Sequence, residues 1–491
     1  MEIHLIPNLP IVEQIPVSLT PIECARLKRL ANRLCCEDMQ LASVKPFGKL
    51  VSTGLGPGPA VVLEDHSWIR LFEQTGDEAY SYRALLLACK GDIVIVGIAQ
   101  NSVFETYCRE QLLLGKVELL SPALAKPTDS LATRCLKDQR LIETLAMHAA
   151  QNESLNIIPY MSTGAIWALA NMVATYAQVP VRIAGPPPYL CRCVNNKLWF
   201  TKRATEVLGV AAVPTTFEVH NLTILCSRIA TLAKNTTSVA IKLKDSASSA
   251  GNLVFDSSML RNLSLHALRN HLLAILTQRC WNNAYPLMVT AWESPVADSP
   301  SVHLWIPKEK QGLPIVEGIF DQSVSGTASE FVGAIPSSLD DTWQHQLAKD
   351  AVQIGSLFQA LGYFGRCSFD AILVGRNLSQ ATLHWVECNG RWGGVSIPIT
   401  LANRLVGNWQ NHPFVIIEEG HLNLPHANLP WLLRIIKDNL YTPTRSTTGA
   451  VILSPGKIES GTGYELMVFG NNVIDAVAIA DTIKTKIVST I

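Results

Sequence analysis

The sequence predicts an α/β protein of two or three domains, and three observations carry that expectation. Its 491 residues are more than one hydrophobic core organises. Near the N-terminus, apolar runs such as "DIVIVGIAQ" (residues 92–100) alternate with helix-like stretches such as "SLATRCLKDQRLIETLAMHAA" (130–150), the order of an open α/β domain. Further on, paired apolar runs sit around short loops of turn-forming residues, as in "SFDAILVGRNLSQATLHWVEC" (368–388), the pattern of hairpins.

Composition narrows the class. Hydrophobic residues make up 48% and charged residues 16%, a globular balance that disordered chains lack. Lys+Arg and Asp+Glu stand at 40 each, so charge supports neither a nucleic-acid binder nor a polybasic membrane anchor. The opening residues show no basic stretch before an apolar core, so no signal peptide is expected. No apolar run approaches the roughly 18 residues of a membrane helix. None of the twelve cysteines falls in a zinc-type spacing. They read as reduced thiols of a cytoplasmic protein.

In chain order, "GLGPGPAVVL" (54–63) reads as a Gly-Pro loop leading into a strand. "GPPPYL" (185–190) reads as a linker, because three prolines interrupt any element. In "NNKLWFTKRATEVLGVAAVPTTF" (195–217), Asn196 is placed to cap a helix that Gly209 ends, with a strand-like "AAVPTT" after it. "SVAIKLKDSASSAGNLVF" (238–255) reads as two strands around a loop of small residues. "YPLMVTAW" (285–292) and "SVHLWIP" (301–307) read as another strand pair. Helices are expected over 339–362 and near the C-terminus.

The 368–388 hairpin carries the chemistry. In a symmetric hairpin, opposed residues share one index sum, and Asp370 then faces Glu387, with Asn389 on the same side. Two carboxylates roughly 5 Å apart repel by about 3 kcal/mol at an effective dielectric near 20. A shared proton or a bound cation would offset this. Magnesium suits two carboxylates and an amide oxygen. A solvated hairpin face on which the acids never meet is the remaining reading.

The residues "DAILV…HWVECNGRWGG" resemble the metal-binding signature of the ATP-grasp superfamily, an acid on one strand followed by E-x-N-x-R. "NNKLWFTKRATEVLGVAAVPTT" resembles that superfamily's opening N-K…LGV…P segment, and "VAIKLKDSASSAGN" its lysine-bearing strand and phosphate loop. Three such pieces in the required order are more specific than any one. Within the superfamily, the "GRWGG" ending and the long N-terminal region look most like the peptide ligases with a pre-ATP-grasp domain, the pheganomycin type. The resemblance implies an α/β N-terminal domain (1–184), an ATP-grasp lid subdomain (185–290) and an α+β ATP-grasp core (291–491).

It also implies roles. Asp370, Glu387 and Asn389 would hold Mg2+. Lys197 and Lys242 would touch the phosphates of ATP, with Lys244 as the alternative to Lys242. Ser248, Ser249 and Gly251 would line the phosphate loop, which departs from the family's glycine-rich form. Glu293 would take the ribose hydroxyls, and Arg391 the transferred phosphoryl group or the substrate carboxylate. The implied activity is an ATP-dependent carboxylate–amine ligase acting on small molecules through an acyl phosphate, as a homodimer. A thiol or carrier-protein nucleophile and a non-catalytic nucleotide-binding module stay open as alternatives. No biotin-accepting Met-Lys-Met segment is present. The segment 321–336 is expected to line the carboxylate site, and the loop 246–252 to close over ATP.

Overall fold

The computed structural model describes residues 9–41, 43, 47–66, 77–97, 100–123, 129–242, 252–279, 281, 283–325 and 330–490. Among these residues three sheets organise the fold.

The first is parallel throughout and six-stranded: β1 (Val51–Thr53), β2 (Ala60–Leu63), β3 (Ile93–Ile95), β4 (Glu118–Leu120), β5 (Leu155–Pro159) and β6 (Val181–Ile183), in the order β1-β6-β5-β2-β3-β4. Its central strands are buried at every position, because both faces of a parallel sheet are covered and runs such as Ala-Val-Val-Leu suit that environment. One face packs under the helices Gln139–Gln151 and Gly164–Ala177. The other shares a core with the far end of the third sheet, through residues such as Val62, Tyr82, Phe414 and Leu466.

The second sheet is small and antiparallel: β7 (Thr216–Val219), β8 (Ser238–Lys242), β9 (Asn252–Asp256) and β10 (Leu287–Trp292), in the order β7-β10-β8-β9. Helices Leu222–Asn235 and Leu265–Gln278 cover it with a core of their own around Ile229, Ile241, Leu272 and Val289.

The third sheet has nine strands: β11 (Val296–Asp298), β12 (Pro300–Ile306), β13 (Ile315–Ser325), β14 (Glu330–Pro336), β15 (Gly365–Val374), β16 (Thr382–Asn389), β17 (Phe414–Glu419), β18 (Gly449–Ile452) and β19 (Tyr464–Phe469). The helix Asp341–Ala360, capped where the Asp340 carboxylate accepts the Trp343 N–H, shares a core with β12 and β15. The terminal helix Val473–Val488 packs on β17 and β19.

Several local expectations need correction. The prolines at 186–188 do not make an open linker. Pro188 begins the helix Pro188–Val194, where a missing N–H costs nothing because first-turn donors have no intrahelical partner. The stretch 130–150 is two helices, Leu131–Lys137 and Gln139–Gln151, divided where Asp138 ends one and caps the next. The strand expected at 211–216 starts only at Thr216. The runs 285–292 and 301–307 are both strands but not partners. The first pairs with β7 and β8, the second with β13 and β15. Apolar alternation identifies a strand without naming its neighbour.

Candidate active site

Strands β15 and β16 pair with Asp370 opposite Glu387 and Ser368 opposite Asn389. The register slips by one residue immediately beyond, between Asp370 and Ala371. The symmetric pairing therefore holds at the acidic end and shifts toward the turn. Asp370 is tied down from three strands. Ser301 Oγ donates to its Oδ1 at 2.7 Å, Gln322 Nε2 donates to the same oxygen at 3.0 Å, and Asn389 Nδ2 donates to Oδ2 at 2.9 Å.

The two carboxylates have opposite electrostatics. Burial and the Glu387 charge push Asp370 up to about 6, against the Ser301 hydroxyl, Arg391 and the Asn389 amide. Burial also opposes ionisation of Glu387. There Lys197, Lys242 and Arg391 outweigh it and hold the carboxyl down to about 2.

The cations come from different elements. Asn196 caps the helix Lys197–Leu208 by accepting the Trp199 N–H at 3.0 Å, and Gly209, with φ +103°, ends it. This cap places Lys197 in the first turn, where its Nζ lies 2.8 Å from Glu387 Oε2 with only 14% of the side chain exposed. It is thus an ion-paired, largely buried lysine and not a solvated one. Lys242 ends β8. Desolvation and the nearby Lys197 push its ammonium down to about 8, against the pull of Glu387, and its Nζ lies 6.0 Å from the Trp292 ring.

Arg391 does not pair with Glu387. Its guanidinium donates to Asn389 Oδ1 at 2.8 Å and to the Trp392 carbonyl at 3.2 Å. Glu293 follows β10 and pairs with His384 Nδ1. Ser248, Ser249 and Gly251, with Lys244 and all of the 246–252 loop except Asn252, lie outside the described residues.

The site has a rigid floor. Asn195 Oδ1 accepts the Gly390 N–H at 3.0 Å, and a Cβ on Gly390 would meet Val194 Cγ2 at 2.4 Å. The Arg391 turn therefore sits directly on the Pro188–Val194 helix. Arg366 lies 5.2 Å from the Trp305 ring and 5.1 Å from the Trp392 ring, ion-paired with Glu317 and donating to Thr400 Oγ1 at 2.8 Å.

From the 321–336 segment, Gln322 reaches Asp370. Ser301, His384 and Asn195 escape a reading of the sequence. They carry no local signal, because each reaches the site through tertiary pairing. The donor set suits a hard divalent cation. Two opposed carboxylates and an adjacent amide gather oxygen ligands where the like charges need a counter-charge. Among the described residues no group of three His, Cys, Asp or Glu forms a competing metal site.

Residues 81–174 match the family described as "Pre ATP-grasp domain". No curated protein matches the sequence. Among solved structures, the chain is similar to an ADP complex of N5-carboxyaminoimidazole ribonucleotide synthetase, with 12% identity and a TM-score of 0.51 over 88% of this chain and 98% of that one. It is also similar to the biotin carboxylase–β,γ-ATP complex of Campylobacter jejuni, with 13% identity and a TM-score of 0.54 over 86% of this chain and 90% of that one. At such identities the likeness is one of fold. Residues 81–174, part of the region built on the first sheet, match the pre-ATP-grasp family, and over 86–88% of its length the chain has the ATP-grasp fold of these two structures.

Proposed function

We propose that this chain is an ATP-dependent carboxylate–amine ligase that forms a peptide or amide bond in small-molecule biosynthesis, releasing ADP and phosphate. The observation that carries the reading is the convergence of Lys197 and Lys242 with Arg391 on the Asp370–Glu387–Asn389 cluster. ATP binding is supported by the nucleotides named for the two similar structures, and the family resemblance puts it between the second and third sheets.

Joining a carboxylate to an amine in water is uphill. A carboxylate oxygen of the acid attacks the γ-phosphorus of ATP, the bond to ADP breaks, and an acyl phosphate forms. The amine then attacks the acyl carbon, loses a proton, and phosphate leaves. The protein's part is positioning and charge neutralisation, because every reacting group in the first step is anionic. Lys197 and Lys242 hold phosphate oxygens, and Arg391 meets the acid or the transferred phosphoryl group. Asp370, Glu387 and Asn389 would hold Mg2+, which would supply charge neutralisation to the phosphates. Lys197, here paired with Glu387, would serve the nucleotide. Residues 1–184 act as the N-terminal domain, 185–290 as the lid and 291–491 as the core. Two copies form a dimer in the cytoplasm, where ATP is abundant.

The test is ADP release with Mg2+ across a panel of amino acids, dipeptides and small acids, followed by mass spectrometry of the products. With the right acid and no amine, hydroxylamine should trap a hydroxamate. An amide made with AMP and pyrophosphate would overturn the acyl-phosphate route. A thioester product would move the nucleophile from amine to thiol.

A further inference from the structure

The parallel sheet reverses its strand order between β2 and β5. In open α/β sheets that reversal leaves a crevice beyond the carboxyl ends of the two strands. Here the strands deliver Glu64, His66 and Tyr160 into it, and all three are buried. Side chains fill the crevice. The His66 ring stacks on Tyr160 at 4.1 Å and on Tyr80 at 5.7 Å, with interplanar angles of 19° and 20°. His66 Nε2 lies 2.7 Å from Glu64 Oε1. Arg83 donates through Nε to Glu64 Oε1 and through Nη1 to Glu465 Oε1, each at 2.9 Å, with its guanidinium 4.9 Å from the Tyr80 ring and 6.0 Å from the Tyr160 ring. A paired, buried network of this kind holds its rings in place.

The stack ends at the candidate active site. The Tyr160 ring centroid lies 5.9 Å from the Arg391 guanidinium carbon, within the reach of a cation–π attraction. The Tyr160 carbonyl accepts the Trp392 N–H at 3.0 Å. Both side-chain hydrogen bonds of Arg391 go to its own turn, to Asn389 and Trp392. Such bonds shape the turn but do not place it against the rest of the molecule. Tyr160 supplies a contact from another domain, once to the backbone and once to the guanidinium.

We propose that Tyr160 is a positioning residue for Arg391, through which the N-terminal domain sets where the guanidinium meets the acid. The proposal rests on the ligase reading of Arg391. It assigns the pre-ATP-grasp domain a part in the chemistry that the metal and phosphate ligands do not supply.

The test changes the ring's charge without its shape. Tyr160 is replaced by phenylalanine and then by phenylalanines of increasing ring fluorination, which drains the π face. Tyr160→Leu removes the ring. With the acid found by the ADP screen, kcat/KM for the acid should stay within about twofold of wild type for phenylalanine. It should fall stepwise by about fivefold across the fluorinated series and by about tenfold for leucine, the scale of a cation–π contact. KM for ATP should not move. A second readout needs no turnover: the rate at which phenylglyoxal modifies Arg391, followed by peptide mass spectrometry, should rise in the same order. If wild type releases no ADP with any acid, the ligase reading fails, and the modification rates alone decide the Tyr160 proposal. Rates that stay flat from phenylalanine through the fluorinated series overturn it. Should the leucine variant fail to fold, the fluorinated series alone decides between the two outcomes.

Discussion

Glu387→Gln removes one negative charge while keeping side-chain size. If Glu387 holds Mg2+, this variant should lose acid-dependent ADP release by on the order of 100-fold or more, the scale of losing one contact to a charged transition state. Its fold should hold by circular dichroism with a lowered thermal midpoint, because the change leaves Lys197 and Lys242 without the carboxylate that neutralises them. Normal turnover at saturating ATP and Mg2+ would remove Glu387 from the metal site. Asp370→Asn should be milder, since Ser301 and Gln322 can still donate to its remaining oxygen. Glu293 gives a second expectation at this scale. If it binds the ribose, Glu293→Ala should raise KM for ATP by about tenfold, the worth of a hydrogen bond to a charged group. It should not affect 2′,3′-dideoxy-ATP. Equal effects on both nucleotides would place Glu293 elsewhere. The Asp370–Glu387 pairing was legible from sequence because the symmetric index sum holds at the acidic end of the hairpin, and only the turn side is shifted by one residue. Ser301 and Gln322 were not, because they reach Asp370 from 69 and 48 residues away. The pairing of Glu293 with His384 spans 91 residues and was equally invisible.

Elements were legible where local chemistry marks their ends. Asn196 and Gly209 bound the helix Lys197–Leu208 because a side-chain oxygen satisfies a first-turn N–H and a glycine tolerates positive φ. Strand partners outside the hairpins were hidden because such pairing is a tertiary choice. One buried strand residue also carries a testable consequence. His303 on β12 is 5% exposed, edge-on to Phe320 at 5.8 Å. Burial and then the Arg366 charge push its imidazole down to about 3 from an ordinary 6.5. Below pH 6.5 the unfolded chain takes up this proton and the folded one does not. The stabilisation from a neutral His303 is therefore complete above pH 6.5 and is lost as pH falls toward 3, by about 1.4 kcal/mol per unit. Between pH 6.5 and 5 wild type should lose on the order of 2 kcal/mol on this account. Guanidinium unfolding of wild type and His303→Leu at pH 7 and pH 5 checks this. The variant should show a flatter pH dependence, and identical slopes would refute the assignment.

At the scale of the whole molecule, the first and third sheets share one apolar core, and Arg83 joins them with a buried ion pair to Glu465. Arg83→Met would leave Glu64 and Glu465 as buried carboxylates without their cation. Such a change costs about 3–5 kcal/mol, and differential scanning calorimetry should register it as a markedly lowered midpoint. A shift within error would mean that water or a rearrangement already serves the two acids. The change from alternating elements to hairpins was readable in outline, whereas a division into three parts came only from the family resemblance. The shared core was not readable, because sequence periodicity says which face is buried without saying against what. The same ion pair puts a clock on biosynthesis. Arg83 and Glu465 are 382 residues apart. At about 5–20 residues per second the ribosome delivers the second roughly 20–75 s after the first. During that interval the nascent N-terminal domain holds an arginine lacking the second of its two carboxylate partners and an uncovered apolar face, the kind of surface that chaperones bind. Nascent chains stalled before Glu465 should therefore remain open to protease within the first sheet, and chains stalled after the terminal helix has cleared the exit tunnel should not.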